Sequence, residues 1–340
     1  MHRWLILSVL AFCAWAVHAA ALEHSDYATG SSLSAEQAES LEARLEGDPQ
    51  DIRTRTHLII YYFQAFADEK ARHVRNRHVI WLIRNAPEAG VLAHPFGAID
   101  PRLDADDYVT GKDAWLSHIE REPTNVAFLA HATSYLAMSQ DAELIIAYLE
   151  ELQRLEPQNS KWPTHLGHLY LRESAYDSPG ATKATQALVH FQRAYELSSF
   201  EPEQALLLEA LGKSALAAGR QDQARTYGTS LLEYSRDRSA GGQSLHHGNL
   251  ILGRVALMED DVEGAKRHLL EAGRTSGSPT LNSFGPNMRL ALELLERGER
   301  QVVLEYFDLC SKFWPRSKLE EWAALVKAGR IPEFGANLNY

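Results

Sequence analysis

The amino-acid sequence predicts an all-α protein, an α-solenoid of stacked antiparallel helix pairs. Three observations carry that expectation. Apolar residues recur at three- and four-residue steps from Ser34 onward, as in Leu144, Tyr148, Leu152 and Leu155. Alternating runs of β-branched residues, the mark of half-buried strands, are absent. Breaks rich in Gly, Pro, Asp and Asn, such as Gly47-Asp48-Pro49, Pro157-Gln158-Asn159 and Gly277-Ser278-Pro279, divide the chain into segments of helix length.

Composition agrees with a globular chain. Of 340 residues, 45% are hydrophobic and 23% charged, enough apolar material for a sizeable core. With 21 Gly and 13 Pro, collagen-like and Pro/Gly-rich disordered classes are excluded. The net charge of −11 argues against a dedicated nucleic-acid binder, which must neutralise phosphates. It argues equally against an anionic membrane surface.

The elements follow in order. Met1–Ala21 carries one Arg, an apolar run from Trp4 to Val17 and then small residues, the layout of a secretory signal peptide. Export to the periplasm or beyond is expected, with an uncleaved anchor over Trp4–Leu22 as the alternative. A lipid-anchored Cys13 is disfavoured by the bulky Phe12 before it. Cleavage would remove Arg3 and Cys13, taking the net charge from −11 to −12 and leaving Cys310 without a disulfide partner. No later run approaches 18 apolar residues, so no integral span is expected in the mature chain. Residues 22–33, LEHSDYATGSSL, read as a flexible leader. Residues 34–123 read as divergent helical repeats interrupted by a long loop, 87–108. Residues 124–315 read as regular repeats. Residues 316–340 read as a capping helix around Trp322 and Leu325, with a tail folding back on it.

The repeats have a period. Ala132 and Gly167 are 35 residues apart, and Gly212 and Gly253 are 41 apart, as are Ala224 and Ala265. In one unit Leu166-Gly167 and Tyr170 are followed by Ala187, Phe191 and Ala194. In another, Leu252-Gly253 and Ala256 are followed by Ala265, Leu269 and Ala272. A third has Leu290-Ala291 and Leu294, then Val303, Phe307, Cys310 and Pro315. Gly111, Trp115, His118 and Pro123 match a second helix alone, and Leu211-Gly212 with Ala224 is a poorer copy lacking the aromatic. This pattern resembles the tetratricopeptide repeat (TPR), over residues 50 to 315. The resemblance implies helix pairs wound into a right-handed superhelix, with a small residue on the first helix admitting the second. It also implies a concave wall of first helices that receives a partner protein. The stretch from Phe284 to Phe334 resembles the ends of exported bacterial repeat proteins, a likeness that implies no function.

Catalytic and metal motifs are missing. Fifteen histidines invite a zinc site, but there is no HExxH and no cysteine pair, so His165, His168, His246 and His247 read as groove or surface side chains. In the loop, Asp100, Asp104, Asp106 and Asp107 could gather calcium, but Tyr108 and Ser117 stand where an EF-hand needs acids. The loop reads first as a solvated linker and second as a partner-binding lid anchored by Phe96 and Ile99. There is no GxSxG and no Gly-rich phosphate loop, and Cys310 sits in a packing slot. No cofactor is expected.

The groove-facing slots of the repeats hold Lys161, His168, Arg172, Lys213, His247 and Arg254, with Thr133 earlier and Glu209 interrupting. They read as a basic strip set in an acidic surround, able to accept an acidic peptide segment or a chain-terminal carboxylate. The groove asparagines of the family's carboxylate clamp are absent from these slots. A non-enzymatic envelope scaffold is therefore expected. The alternative is an envelope hydrolase or lyase with an acid pair assembled near the 87–108 loop.

Overall fold

Capping side chains start six of the described helices at breaks in the sequence. Ser34 and Gln37 form a reciprocal capping box, while Asp51, Asp68, Asn125, Asp261 and Ser278 each accept a backbone N–H of the first turn. Pro202 and Pro279 stand at helix starts, where their missing N–H costs nothing. The structure, a computed structural model, describes residues 22, 24–139, 141–174, 182–236 and 241–338. The signal-peptide reading of Met1–Ala21 lies outside them. Among the described residues the fold is all-α, with no strand, and consecutive helices pack as neighbours. The chain divides into two compact units, one up to Pro157 and one from Gln158.

The first unit contains α1 (His24–Ser31), α2 (Ala35–Gly47), α3 (Ile52–Gln64), α4 (Glu69–Asn85), α5 (Ala105–Arg121), α6 (Val126–Leu136) and α7 (Ala142–Leu155). Both α1 and α2 pack on α3, and each helix from α3 to α7 packs on the next. Leu58, Ile59, Val79, Leu82 and Ile83 are fully buried between them.

Two expectations need correction here. The leader is not flexible coil: most of it is α1, docked on α3. Its apolar content is too low to show in a hydrophobic pattern. Polar and steric contacts hold it instead. Asp26 accepts from Arg53 Nε at 2.8 Å and bonds His57 Nε2 at 2.9 Å. Gly30 lies so close to α3 that an added Cβ would stand 2.8 Å from Ile60 Cβ. Nor is the 87–108 loop a solvated linker. It folds into two 3₁₀ turns, Gly90–Ala93 and Pro95–Gly97, and buries Val91, Leu92, Ala93 and Ile99. Its last residues already belong to α5.

The second unit begins with α8 (Lys161–Ser174) and α9 (Thr182–Leu197), then α10 (Glu201–Ala217) and α11 (Gln221–Arg236), then α12 (Gly242–Met258) and α13 (Val262–Gly273). A short α14 (Pro279–Phe284) leads to α15 (Arg289–Glu296), α16 (Arg300–Cys310) and α17 (Arg316–Lys327). Each helix from α8 to α13 packs on its sequence neighbour. In addition α8 touches α10, α10 touches α12, and α12 touches α15, so the first helices of successive pairs lie side by side. That is the stacking of a solenoid. At the end of the chain, Phe334 folds back beneath α17, its ring 5.0 Å from that of Trp322.

Small residues set the helix spacing. At Gly167 an added Cβ would stand 2.7 Å from the ring of Phe191, which is fully buried in the partner helix. At Gly212 it would meet Ile251 Cδ1 at 2.5 Å, and at Gly253 it would meet Leu290 Cδ2 at 2.4 Å. The first contact is within a pair, as the repeat pattern demands. The other two join a first helix to the next first helix. Gly167→Ala should therefore destabilise the chain by about 1–3 kcal/mol through overpacking. At an unconstrained helical site the same change stabilises by about 1 kcal/mol. Urea denaturation should show the loss, and adding Phe191→Leu should recover part of it.

Candidate functional site

Apart from Thr133, the sequence-predicted strip lies in the second unit, on the layer of first helices. Glu209, on α10, is its centre. Lys213, one turn along, donates from Nζ to Glu209 Oε1 at 2.6 Å, and Gln243 Nε2 donates to Oε2 at 3.2 Å. From α12, His247 Nε2 stands 3.4 Å from Oε1. Burial works against the Glu209 charge, but His247, Lys213 and the Gln243 amide outweigh it and hold the carboxyl at about 2. His247 is itself buried, and that desolvation pulls it down to about 3 against the pull of Glu209. At neutral pH the imidazole is uncharged, and Lys213 supplies the balancing charge.

The other predicted residues are spread along the same layer. Lys161, at the start of α8, has its ammonium 4.8 Å from the centre of the Trp162 ring. One turn on, His165 is pushed down to about 3, chiefly by burial and then by Lys161. His168 packs edge-on against Phe191, ring centres 4.9 Å apart, yet its outer side is open to solvent. The protein around it, and Lys213 after that, push it down to about 4. Accessibility and desolvation coexist there because the ring rests on a wall of protein. Arg172 is exposed, with Glu173 Oε1 3.8 Å from Nε. Arg254 donates from Nε to both Glu293 oxygens, at 2.9 and 3.1 Å. Thr133 belongs to the first unit, where its hydroxyl donates to Leu129 O at 2.8 Å.

The structure thus brings Lys213 and His247 together at Glu209, places His168 on Phe191, and pairs Arg254 separately. The strip is less basic than its residue list implies. Glu209 and Glu293 neutralise two of its cations. The Glu209–Lys213 pair was legible as an i,i+4 pairing. The Gln243 contribution was not, because it depends on how α10 and α12 lie together.

His246, the neighbour of His247, serves packing. It is completely buried, its Nδ1–H donates to Ala272 O at 3.0 Å, and its Nε2 accepts the Asn287 N–H at 3.2 Å. Both ring nitrogens are satisfied only in the neutral tautomer. Burial holds the ring at about 4. Tyr306 continues the network by donating to Asn287 O at 2.9 Å.

Among the described residues, no group of three or more His, Cys, Asp or Glu side chains is placed to hold a metal ion. Three of the four loop acids are matched by donors. Asp100 accepts from the backbone N–H and the guanidinium of Arg102, and Asp104 accepts from Arg72. Asp107 meets His73 and Asn76. The Cys310 thiol is fully buried, and that burial pushes its pKa up. No described helix is long and apolar enough to cross a membrane.

No protein-family model matches the chain. A search of curated proteins likewise finds no significant match.

The neutral His246 ties stability to pH. In the unfolded chain it protonates near 6.5; in the fold, only near 4. Its contribution is therefore fully present above pH 6.5 and is lost as pH falls toward 4, by about 2–3 kcal/mol. Urea midpoints should fall over that window. His246→Leu should be less stable at pH 7 but show a flatter decline.

Proposed function

We propose that this chain is a non-enzymatic interaction scaffold whose second unit receives a segment of another protein on its layer of first helices. One observation carries the reading. Lys213, Gln243 and His247 converge on Glu209 from two neighbouring helices, which places a preorganised set of donors and acceptors on one shared face. Preorganisation lowers the ordering cost of binding. The resemblance to tetratricopeptide repeats supports the same role. So does the matching of Asp100, Asp104 and Asp107 by Arg102, Arg72 and His73, which ties up three of the four loop acids an acid-pair enzyme could draw on.

Because Lys213 and Arg254 carry their own carboxylates, the segment that fits best is of mixed polarity. Its acidic groups would face the exposed Arg172, only loosely paired with Glu173, and its donors would face Glu209. Export from the cytoplasm, with the scaffold working in the cell envelope, completes the proposal.

Site-specific photocrosslinking tests it. Crosslinkers at positions 168 and 172 should trap one partner protein, while a crosslinker at the exposed Arg267 of α13 should not. Lys213→Met should lower the yield at 168 at least about fivefold. Equal trapping at 267, or yields indifferent to Lys213→Met, would contradict the reading.

A further inference from the structure

The first unit holds a buried cation with no carboxylate among its hydrogen-bond partners. Arg75, on α4, is 1% exposed. Its Nη2 donates to Ala98 O at 2.7 Å and to Asn76 Oδ1 at 3.0 Å. Its Nε and Nη1 have no hydrogen-bond partner among the described residues. A guanidinium offers five N–H donors, so Nε–H and both Nη1–H remain unused. Burial pulls its pKa down to about 10, and it stays a cation at neutral pH.

Arg55 shows how this chain treats a buried arginine that is only structural. Its Nε and Nη2 both donate to Pro49 O, its Nη1 meets His78 Nδ1, and its guanidinium lies 3.8 Å over the Trp81 ring. Arg75 has looser aromatic neighbours, with Phe63 and Phe66 ring centres 5.6 and 5.9 Å away. The nearby carboxylates are committed elsewhere: Asp100 to Arg102, and Asp104 to Arg72.

Arg75 lines a cleft with Phe63, Phe66, Pro95, Ala98, Asp100 and Met138. The cleft has about 20 Å³ of room for water-sized groups. That suits one small polar group, with no space for a larger polar head. Phe63, Phe66, Pro95 and Met138 are each partly exposed, so apolar side chains form the mouth and a cation lies behind them. A water molecule could use the N–H donors but would add no charge to that of Asp104 and Asp100, which Arg75 shares with Arg72 and Arg102, and a buried charge without its own partner is costly. A carboxylate would satisfy both. The repulsion it would meet from Asp100 is moderated by the Arg102 guanidinium.

We propose that this cleft is a binding subsite for a small apolar acid, whose carboxylate meets Arg75 and whose hydrocarbon stem packs on Phe63, Phe66 and Met138. The site is separate from the layer of first helices in the second unit and does not depend on its function.

Calorimetric titration of the full chain tests this, with hexanoate and phenylacetate as probes and hexanamide and phenylacetamide as uncharged controls. At least one acid should bind about tenfold more tightly than its amide. Arg75→Met should abolish that preference while leaving the fold intact, since replacing a buried unpaired cation by an apolar chain of similar length is tolerated. Met138→Glu, at the mouth, is the second variant and keeps Arg75. It should weaken acid binding about tenfold by charge repulsion. No acid binding, equal acid and amide binding, or acid binding unchanged in Met138→Glu or in folded Arg75→Met would overturn the proposal.

Discussion

Close approach of helices at small residues is the constraint on which the second unit rests. Where Gly167 meets Phe191, Gly212 meets Ile251 and Gly253 meets Leu290, there is no room for even one methyl group. Interiors are packed near crystal density, so these contacts fix the spacing of the helices to within tenths of an ångström. The polar chemistry inherits that spacing. Gln243 and His247 reach Glu209 only because α12 lies tightly against α10, and the Gly212–Ile251 contact joins those same two helices.

Tight spacing also determines the electrostatics. His246 and His247 are held in the neutral form chiefly by burial, and the partly covered His165 and the solvent-facing His168 are shifted in the same direction by the protein around them. The carboxylate among them, the partly buried Glu209, stays ionised with Lys213 at hydrogen-bond distance. A layer of helices lined with histidines and cations thus yields a face whose charge is mostly settled internally. What it offers outward is a pattern of donors and acceptors rather than a field. The first unit contrasts with this at one place, where Arg75 is buried with no carboxylate among its hydrogen-bond partners.

Much of the architecture was legible in the sequence, because a helix period and its breaks are local properties. The interlock of Gly167 with Phe191 was legible too, since the repeat pattern specifies both partners. The α1 helix was not. Asp26 is drawn to Arg53 and His57, some thirty residues on, and no periodicity signals such a contact. The 87–108 loop was read as solvated because its acids are numerous, yet each of Asp100, Asp104 and Asp107 finds a donor within the fold. The site was half visible. Its residues stand on the predicted layer, but Glu209 looked like a defect in a basic strip and is instead the group on which Lys213 and His247 converge. The role of His246 was hidden for a similar reason: both of its partners are backbone groups, Ala272 O and the Asn287 N–H.

Hydrogen exchange measured peptide by peptide in Phe191→Ala addresses the stacking most directly. In a stack, each pair answers mainly to its neighbours. Removing the Phe191 ring should cost most protection in α8 and α9, less in α10 and α11, and little in α15 to α17. An equal loss of protection from α8 through α17 would contradict the stacked, neighbour-by-neighbour account of this unit.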